Sequence, residues 1–278
     1  MILRSTFLAG ESPKTFFRDI AQSLHEKEIK KHFGSRTEFR RGDPVVEAPV
    51  CFMLFTNRSG SNYLAELLKA TRSFSGFGES TNSDAVINNS VRFGARSLAE
   101  YYYTLVQTYG TEAPVFGLKV NVQQTVFLLK AGIIPNVFPD ARWIWIQRSD
   151  VLAQAISLYF AQSTLQWTSE QAGNGTEVAY DFEEIASRMR GISRNNANLG
   201  RLVGALGLEP ATVIYETVLK RPHWAVRTIA EHFGMEYRAP RLRSIPISKQ
   251  TDPRKEAFRA RFIAEARAAL GWTLAPAG

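Results

Sequence analysis

Arg58, Ser59, Gly60, Ser61 and Asn62 stand in a short polar turn, Thr56 to Asn62, that combines one fixed cation, three hydroxyls and a glycine. Those residue types suit an anion. A glycine lets the backbone come close, and a guanidinium can grip two oxygens at once. Lys119 lies near the end of VFGLKV and Arg148 just past WIWIQ, each a cation closing an apolar run. Converged, the three cations would make a polyanion pocket; apart, they are surface charges beside ordinary turns. Glu79 is the first acid in the loop 72–84, ahead of Asp84.

The elements that must position these residues follow from periodicity. Val50 to Phe55 is a continuous apolar run and reads as a buried strand. From Ser61, Leu64, Leu67 and Leu68 mark one face of a helix. A strand, a tight turn and a helix N-terminus aim backbone N–H groups at one point, a natural seat for phosphate or sulfate. Further strands are predicted at 115–120, 143–147 and 211–216, with helices at about 97–109, through Leu129, from Ser149 or Asp150, from Asp181, and over 225–233. Strands alternating with helices predict an α/β fold, P-loop-like, with a central, mostly parallel sheet flanked by helices in three layers. In such sheets ligands bind beyond the carboxyl ends of the strands.

Residues 1–49 read as a helical extension and connector, with a helix from about Thr15 carrying Phe16, Ile20, Leu24 and Ile29. Residues 50–278 read as the main domain. The loop 72–84, rich in Gly, Ser and Asn, reads as neither strand nor helix. His25 and His32 read as solvated helix positions, since no further ligands gather near them. The segment 238–259 is basic and broken by prolines, either a cap over the anion site or a solvated connector.

A chain of 278 residues with 45% apolar, 12% aromatic and 22% charged residues has the composition of a globular protein. No apolar run reaches the ~18 residues of a membrane span. The N-terminus has too short an apolar stretch for a signal peptide, and single Cys51 forms no internal disulfide, so the expectation is a cytoplasmic protein. The net charge of +8 favours an anionic partner. It is not gathered in a low-complexity tail, which speaks against nucleic acid.

With these residues in view, TNRSGSNYLAELL resembles the phosphosulfate-binding turn of sulfotransferases that use 3′-phosphoadenosine 5′-phosphosulfate (PAPS). FPDARWIWIQRSDVLAQAISLYFAQSTLQW resembles their 3′-phosphate strand-turn-helix. The likeness is to bacterial carbohydrate sulfotransferases of the trehalose 2-sulfotransferase type, which share the F-G-x-K stretch and the R-x-D…QA-x-S run. VIYETVLKRPHWAVRTIAEHFGM is a later, weaker match, and the whole spans residues 50–260. The resemblance implies that Arg58, Ser59, Gly60, Ser61 and Asn62 hold the 5′-phosphosulfate, with Tyr63 in the same donor site. Arg148 and Ser157 would bind the 3′-phosphate. Glu79 falls at the family's proposed catalytic base, and Lys119 would neutralise charge near the transferring group. Two departures stand out: no proline precedes Glu79, and Asn62 replaces a common threonine. The implied partners are PAPS or its bisphosphate product and a carbohydrate or glycolipid acceptor, with no metal; a homodimer is compatible. Tyr101 to Tyr103 and Trp167 could stack on sugar rings or belong to the core.

Two other readings are weighed. A P-loop phosphotransferase needs G-x-x-x-x-G-K-[ST], yet Gly60 is followed by Ser61 with no Lys-Ser/Thr pair. A non-catalytic protein for nucleic acid or acidic glycans would owe its charge to a continuous patch and have no use for Glu79.

Overall fold

The computed structural model describes residues 16–167, 171–246 and 252–272. Its sheet comprises β1 (Val50–Leu54), β2 (Phe74–Gly78), β3 (Val115–Val120), β4 (Ala141–Gln147) and β5 (Ala211–Ile214). The order is β2-β3-β1-β4-β5, and every pairing is parallel. The helices are α1 (Leu24–Phe33), α2 (Ser61–Lys69), α3 (Ser83–Phe93), α4 (Leu98–Tyr109), α5 (Val122–Lys130), α6 (Ile133–Asn136) and α7 (Val151–Thr164). There follow α8 (Phe182–Ala205), α9 (Tyr215–Lys220), α10 (Pro222–His232) and α11 (Pro253–Ala269).

Alternation along β1 sets the layers. Val50, Phe52 and Leu54 enter one core with Tyr101, Tyr102, Leu128 and Leu199. Cys51 and Met53 enter the opposite core with Leu64, Leu67, Leu68 and Ile229. Every residue of β1 is buried, which is why the run shows no polar alternation. Burying each such Leu or Ile contributes about 1.5–3 kcal/mol. A third cluster joins α7, α8 and α11 through Ile156, Ile185, Phe258 and Phe262. The result is an α/β fold with helices on both faces of a parallel sheet. Among the described residues no helix is long and apolar enough to cross a membrane.

Parallel strands bring all five exits to one edge of the sheet. The chain runs from central β1 out to β2 and back through β3, then crosses to β4 and β5. The switch point therefore falls between β1 and β4, beneath the turns carrying Arg58 and Arg148.

Four expectations are corrected. Phe74–Gly78 is an edge strand, β2, where a loop was expected. Phe74 and Phe77 supply its apolar weight, and its glycines allow an unusually close ladder. A side chain on Gly76 would meet the Gly117 carbonyl at 2.6 Å, and one on Gly117 would meet the Phe77 ring at 2.3 Å. The register breaks between Gly76 and Gly78, and Ser83–Phe93 beyond is helical. Second, α1 begins at Leu24, because Ser23 caps it by accepting from the Glu26 N–H at 3.1 Å. That local cap outcompetes the longer stripe; residues 16–19 form a turn, and Thr15 lies outside the described residues. Third, β5 ends at Ile214, and Tyr215 and Glu216 open α9 instead of extending the strand.

Fourth, His25 and His32 are not merely solvated. His25 Nδ1 lies 3.0 Å from Ser83 Oγ, and His32 Nε2 lies 2.8 Å from Ser90 Oγ. These rungs, with Ile20, Ile29, Phe33 and Val46 in the sheet's own core, seat the N-terminal region against α3 and the sheet.

Candidate active site

The turn after β1 is shaped by two left-handed residues, Arg58 at φ 64° and Gly60 at φ 90°. Gly60 caps α2 without any side-chain hydrogen bond, so the first N–H groups of a nine-residue helix are left for a ligand. Only glycine fits there: a Cβ would lie 2.1 Å from the Tyr215 ring. Ser59 Oγ is buried and has no hydrogen-bond partner among the described residues. Gln154, fully buried in α7, steadies the turn by donating to Thr56 Oγ1 at 2.9 Å and to the Asn57 carbonyl at 2.7 Å.

Cations gather beside this turn. Arg58 Nε donates to Ser157 Oγ at 3.0 Å, and its NH1 to the Trp167 carbonyl. Arg148 donates to the Arg58 carbonyl at 3.3 Å, and its guanidinium lies 5.3 Å from the centre of the Tyr215 ring. Burial, followed by the nearby Arg148 charge, presses the Arg58 pKa down. Lys255 from α11 is depressed in the same way, by burial and then by Arg58. Its helix is anchored by Arg259, which pairs with Asp150 at 2.8 Å. Acids answer the cluster: Glu216 lies 3.7 Å from Arg148, too far for a hydrogen bond, and the Asp150 and Asp252 charges act on Arg148 and Lys255. Burial pushes the Glu216 pKa up, but the N–H groups of Ser149 (3.1 Å) and Asp150 (3.3 Å) outweigh it and keep the carboxyl low.

On the other side of β1, Lys119 stands opposite Met53 in the ladder. Its side chain is only 5% exposed, against 61% for Glu79, whose Oε1 lies 3.5 Å from Lys119 Nζ. Nζ also donates to Asn62 Oδ1 at 2.5 Å. Burial lowers the Lys119 pKa, and the Glu79 charge partly restores it. Among the described residues no group of three or more His, Cys, Asp or Glu could hold a metal ion.

The family model for Stf0 sulphotransferase matches residues 51–265. The chain belongs to that family. It also resembles the crystal structure of a sulfotransferase from Alicyclobacillus acidocaldarius, at 16% identity and TM-score 0.49, over 82% of this chain and 98% of that one. The sulfotransferase domain of the olefin synthase of Synechococcus PCC 7002 is similar at 16% identity and TM-score 0.40, with the same coverages. Neither likeness bears on what this chain binds, and no curated protein matches it.

In this Stf0 sulphotransferase the expected residues fall into two groups at one edge of the sheet. Arg58, Ser59, Gly60, Ser61, Arg148 and Ser157 meet around the turn, and Arg58 contacts Ser157 directly. Glu79, Lys119 and Asn62 form the second group; Asn62 spends its amide oxygen on Lys119 rather than facing outward alone. Tyr63, on the first turn of α2, packs like Tyr215 against the core of Leu64, Leu67 and Val218. Tyr101 and Tyr102 are fully buried, so they are core residues and offer no ring to an acceptor. Trp167 remains partly exposed.

Sequence reasoning missed Gln154, Tyr215, Glu216, Lys255, Asn82 and Gln124 as parts of the site. A glutamine inside an apolar helical stretch was a usable signal for Gln154. Lys255 had none: among the many cations of 238–259, part of which (247–251) lies outside the described residues, it looks like its neighbours.

Proposed function

We propose that this chain transfers a sulfuryl group from PAPS to a hydroxyl of a carbohydrate or glycolipid, with Glu79 as general base. One observation carries the reading: Arg58, hydrogen-bonded to Ser157 and joined by Arg148 at its carbonyl, stands at the α2 N-terminus on the β4 side of β1, and the Glu79 carboxylate with Lys119 stands on the β3 side of the same strand end. The donor fits the residues present. The first N–H groups of α2 have no capping side chain and can donate to a phosphosulfate, the unpartnered Ser59 hydroxyl can join them, and crowded cations are relieved by an incoming anion.

In the reaction Glu79 takes the acceptor's proton as the acceptor oxygen bonds to sulfur. The bond from sulfur to the donor's 5′-phosphate oxygen breaks, and adenosine 3′,5′-bisphosphate leaves with the electron pair. Arg58, Lys119 and the helix N–H groups face the charge that spreads over the transferring and leaving oxygens. Arg148, Ser157 and Lys255 serve the 3′-phosphate, which sets the donor apart from ordinary adenine nucleotides. A single buried thiol, Cys51, is in keeping with work in the cytoplasm.

Calorimetric titration with adenosine 3′,5′-bisphosphate and with AMP tests the reading. The bisphosphate is expected to bind at least ~10-fold more tightly, since its extra phosphate gains a charge-assisted contact. Equal affinities overturn the assignment.

A further inference from the structure

We propose that Asn82 and Gln124 are positioning residues for Glu79, joined in a hydrogen-bond relay whose direction one backbone N–H imposes. The inference rests on the reading of Glu79 as the base.

The relay begins at the start of α5. The Asn121 backbone N–H donates to Gln124 Oε1 at 3.0 Å, while Gln124 N–H donates to Asn121 Oδ1 at 2.9 Å. A backbone N–H can only donate, so the Gln124 atom that faces it is the oxygen, and Nε2 is left to point onward. It donates to Asn82 Oδ1 at 2.9 Å. With its oxygen taken, Asn82 presents Nδ2 to Glu79 Oε2 at 2.8 Å. Thus the orientation of two amides, and the atom offered to the carboxylate, follow from one fixed donor. Gln124 is buried, so no water competes at the anchoring step.

Asn82 gives something up for this contact. It is the N-cap residue of α3, a position where an asparagine ordinarily bonds its own helix, yet its side chain makes no capping bond. The Ser83 N–H of the first helical position donates to His25 Nδ1 at 3.1 Å. An asparagine turned away from its own helix and toward an exposed carboxylate serves that carboxylate. The effect on Glu79 is geometric. Two of its atoms are tethered, Oε2 by Asn82 and Oε1 by Lys119 at 3.5 Å, so a mobile side chain is confined to one pose. Oε2 is occupied from behind, and Oε1, on the Lys119 side, is the oxygen left to receive the acceptor's proton.

The test uses the full chain, sulfur-labelled PAPS and a panel of mono- and disaccharides as acceptors. Asn82→Ala is expected to lower kcat by about 10- to 100-fold, the worth of a charge-assisted hydrogen bond, with the KM for PAPS changed less than about twofold. Gln124→Glu should match it, because a carboxylate there accepts from Asn82 and turns its oxygen toward Glu79. Asn82→Ser can cap α3 but cannot reach Glu79, so its thermal midpoint should rise while kcat falls as in the alanine variant. In a Glu79→Gln background none of these changes should slow turnover further. Wild-type rates in Asn82→Ala, or a full additional loss on top of Glu79→Gln, overturn the relay. If Glu79→Gln itself turns over at the wild-type rate, the proposed base is what fails. A second readout needs no acceptor. The Asn82 side-chain amide resonances should move in Glu79→Ala and in Gln124→Glu; resonances unmoved in both overturn the relay.

Discussion

The two flanks of β1 hold charge in opposite ways. Toward β4, Arg58, Arg148 and Lys255 crowd together, with Glu216 beside Arg148, and each of Arg58 and Lys255 is pushed down by burial and by a cationic neighbour. Toward β3, the buried cation Lys119 meets the Glu79 carboxylate, and neutral amides hold both: Asn62 accepts from Lys119 and Asn82 donates to Glu79. The first flank stores repulsion that a doubly anionic guest relieves. The second is balanced already and spends its hydrogen bonds on aim. The difference separates affinity from turnover: β4 residues should govern how tightly the donor binds, and β3 residues how fast it reacts.

The largest expected effect lies on the β3 flank. Glu79→Gln should lower kcat by about 10²- to 10⁴-fold, the usual worth of a general base, while calorimetry finds bisphosphate affinity nearly unchanged. A matching loss of affinity would dissolve the division between the flanks. Next in size, Arg148→Ala should weaken bisphosphate binding by about 10- to 100-fold, corresponding to a lost charged hydrogen bond, with little change for AMP. An equal loss for both ligands would place the 3′-phosphate elsewhere.

The smallest effect sharpens the contrast through stability. Burial holds the Lys119 pKa below its ordinary 10.5, so the charged form is disfavoured in the fold. Between the folded and unfolded pKa values the unfolded chain binds more protons, and stability rises with pH across that window. Lys119→Met should abolish this rise and stabilise the protein by about 1 kcal/mol, a few degrees in thermal midpoint, while slowing turnover. A lowered midpoint would mean that Lys119 holds the fold together as well as the site.

Much of this arrangement is legible in the residues themselves. The β1 and β4 runs, each ending in a polar turn and a helix start, are strong local signals, and they locate Arg58, Arg148 and Ser157 at one edge. What escapes is whatever depends on partners distant in sequence. β2 mixes two phenylalanines with glycine and serine, and it packs into the sheet because β3 offers glycine at the facing position. Asn82 and Gln124 lie 42 residues apart. An asparagine before a helix reads as a cap, and nothing local says that its side chain turns the other way. Tyr215 and Glu216 were read as the end of a strand, whereas the start of α9 swings them over the turn.

The Tyr215 ring acts as a gauge block. Gly60 rests directly on it, and the Arg148 guanidinium lies over the same ring at 5.3 Å. The two places where oxyanions are expected to dock are therefore referenced to one rigid plane, not to two independent loops. A ring neither stretches nor compresses, so the spacing between them is set by packing on its two sides. A ligand whose anionic groups are separated by the wrong span meets a ruler, not a hinge.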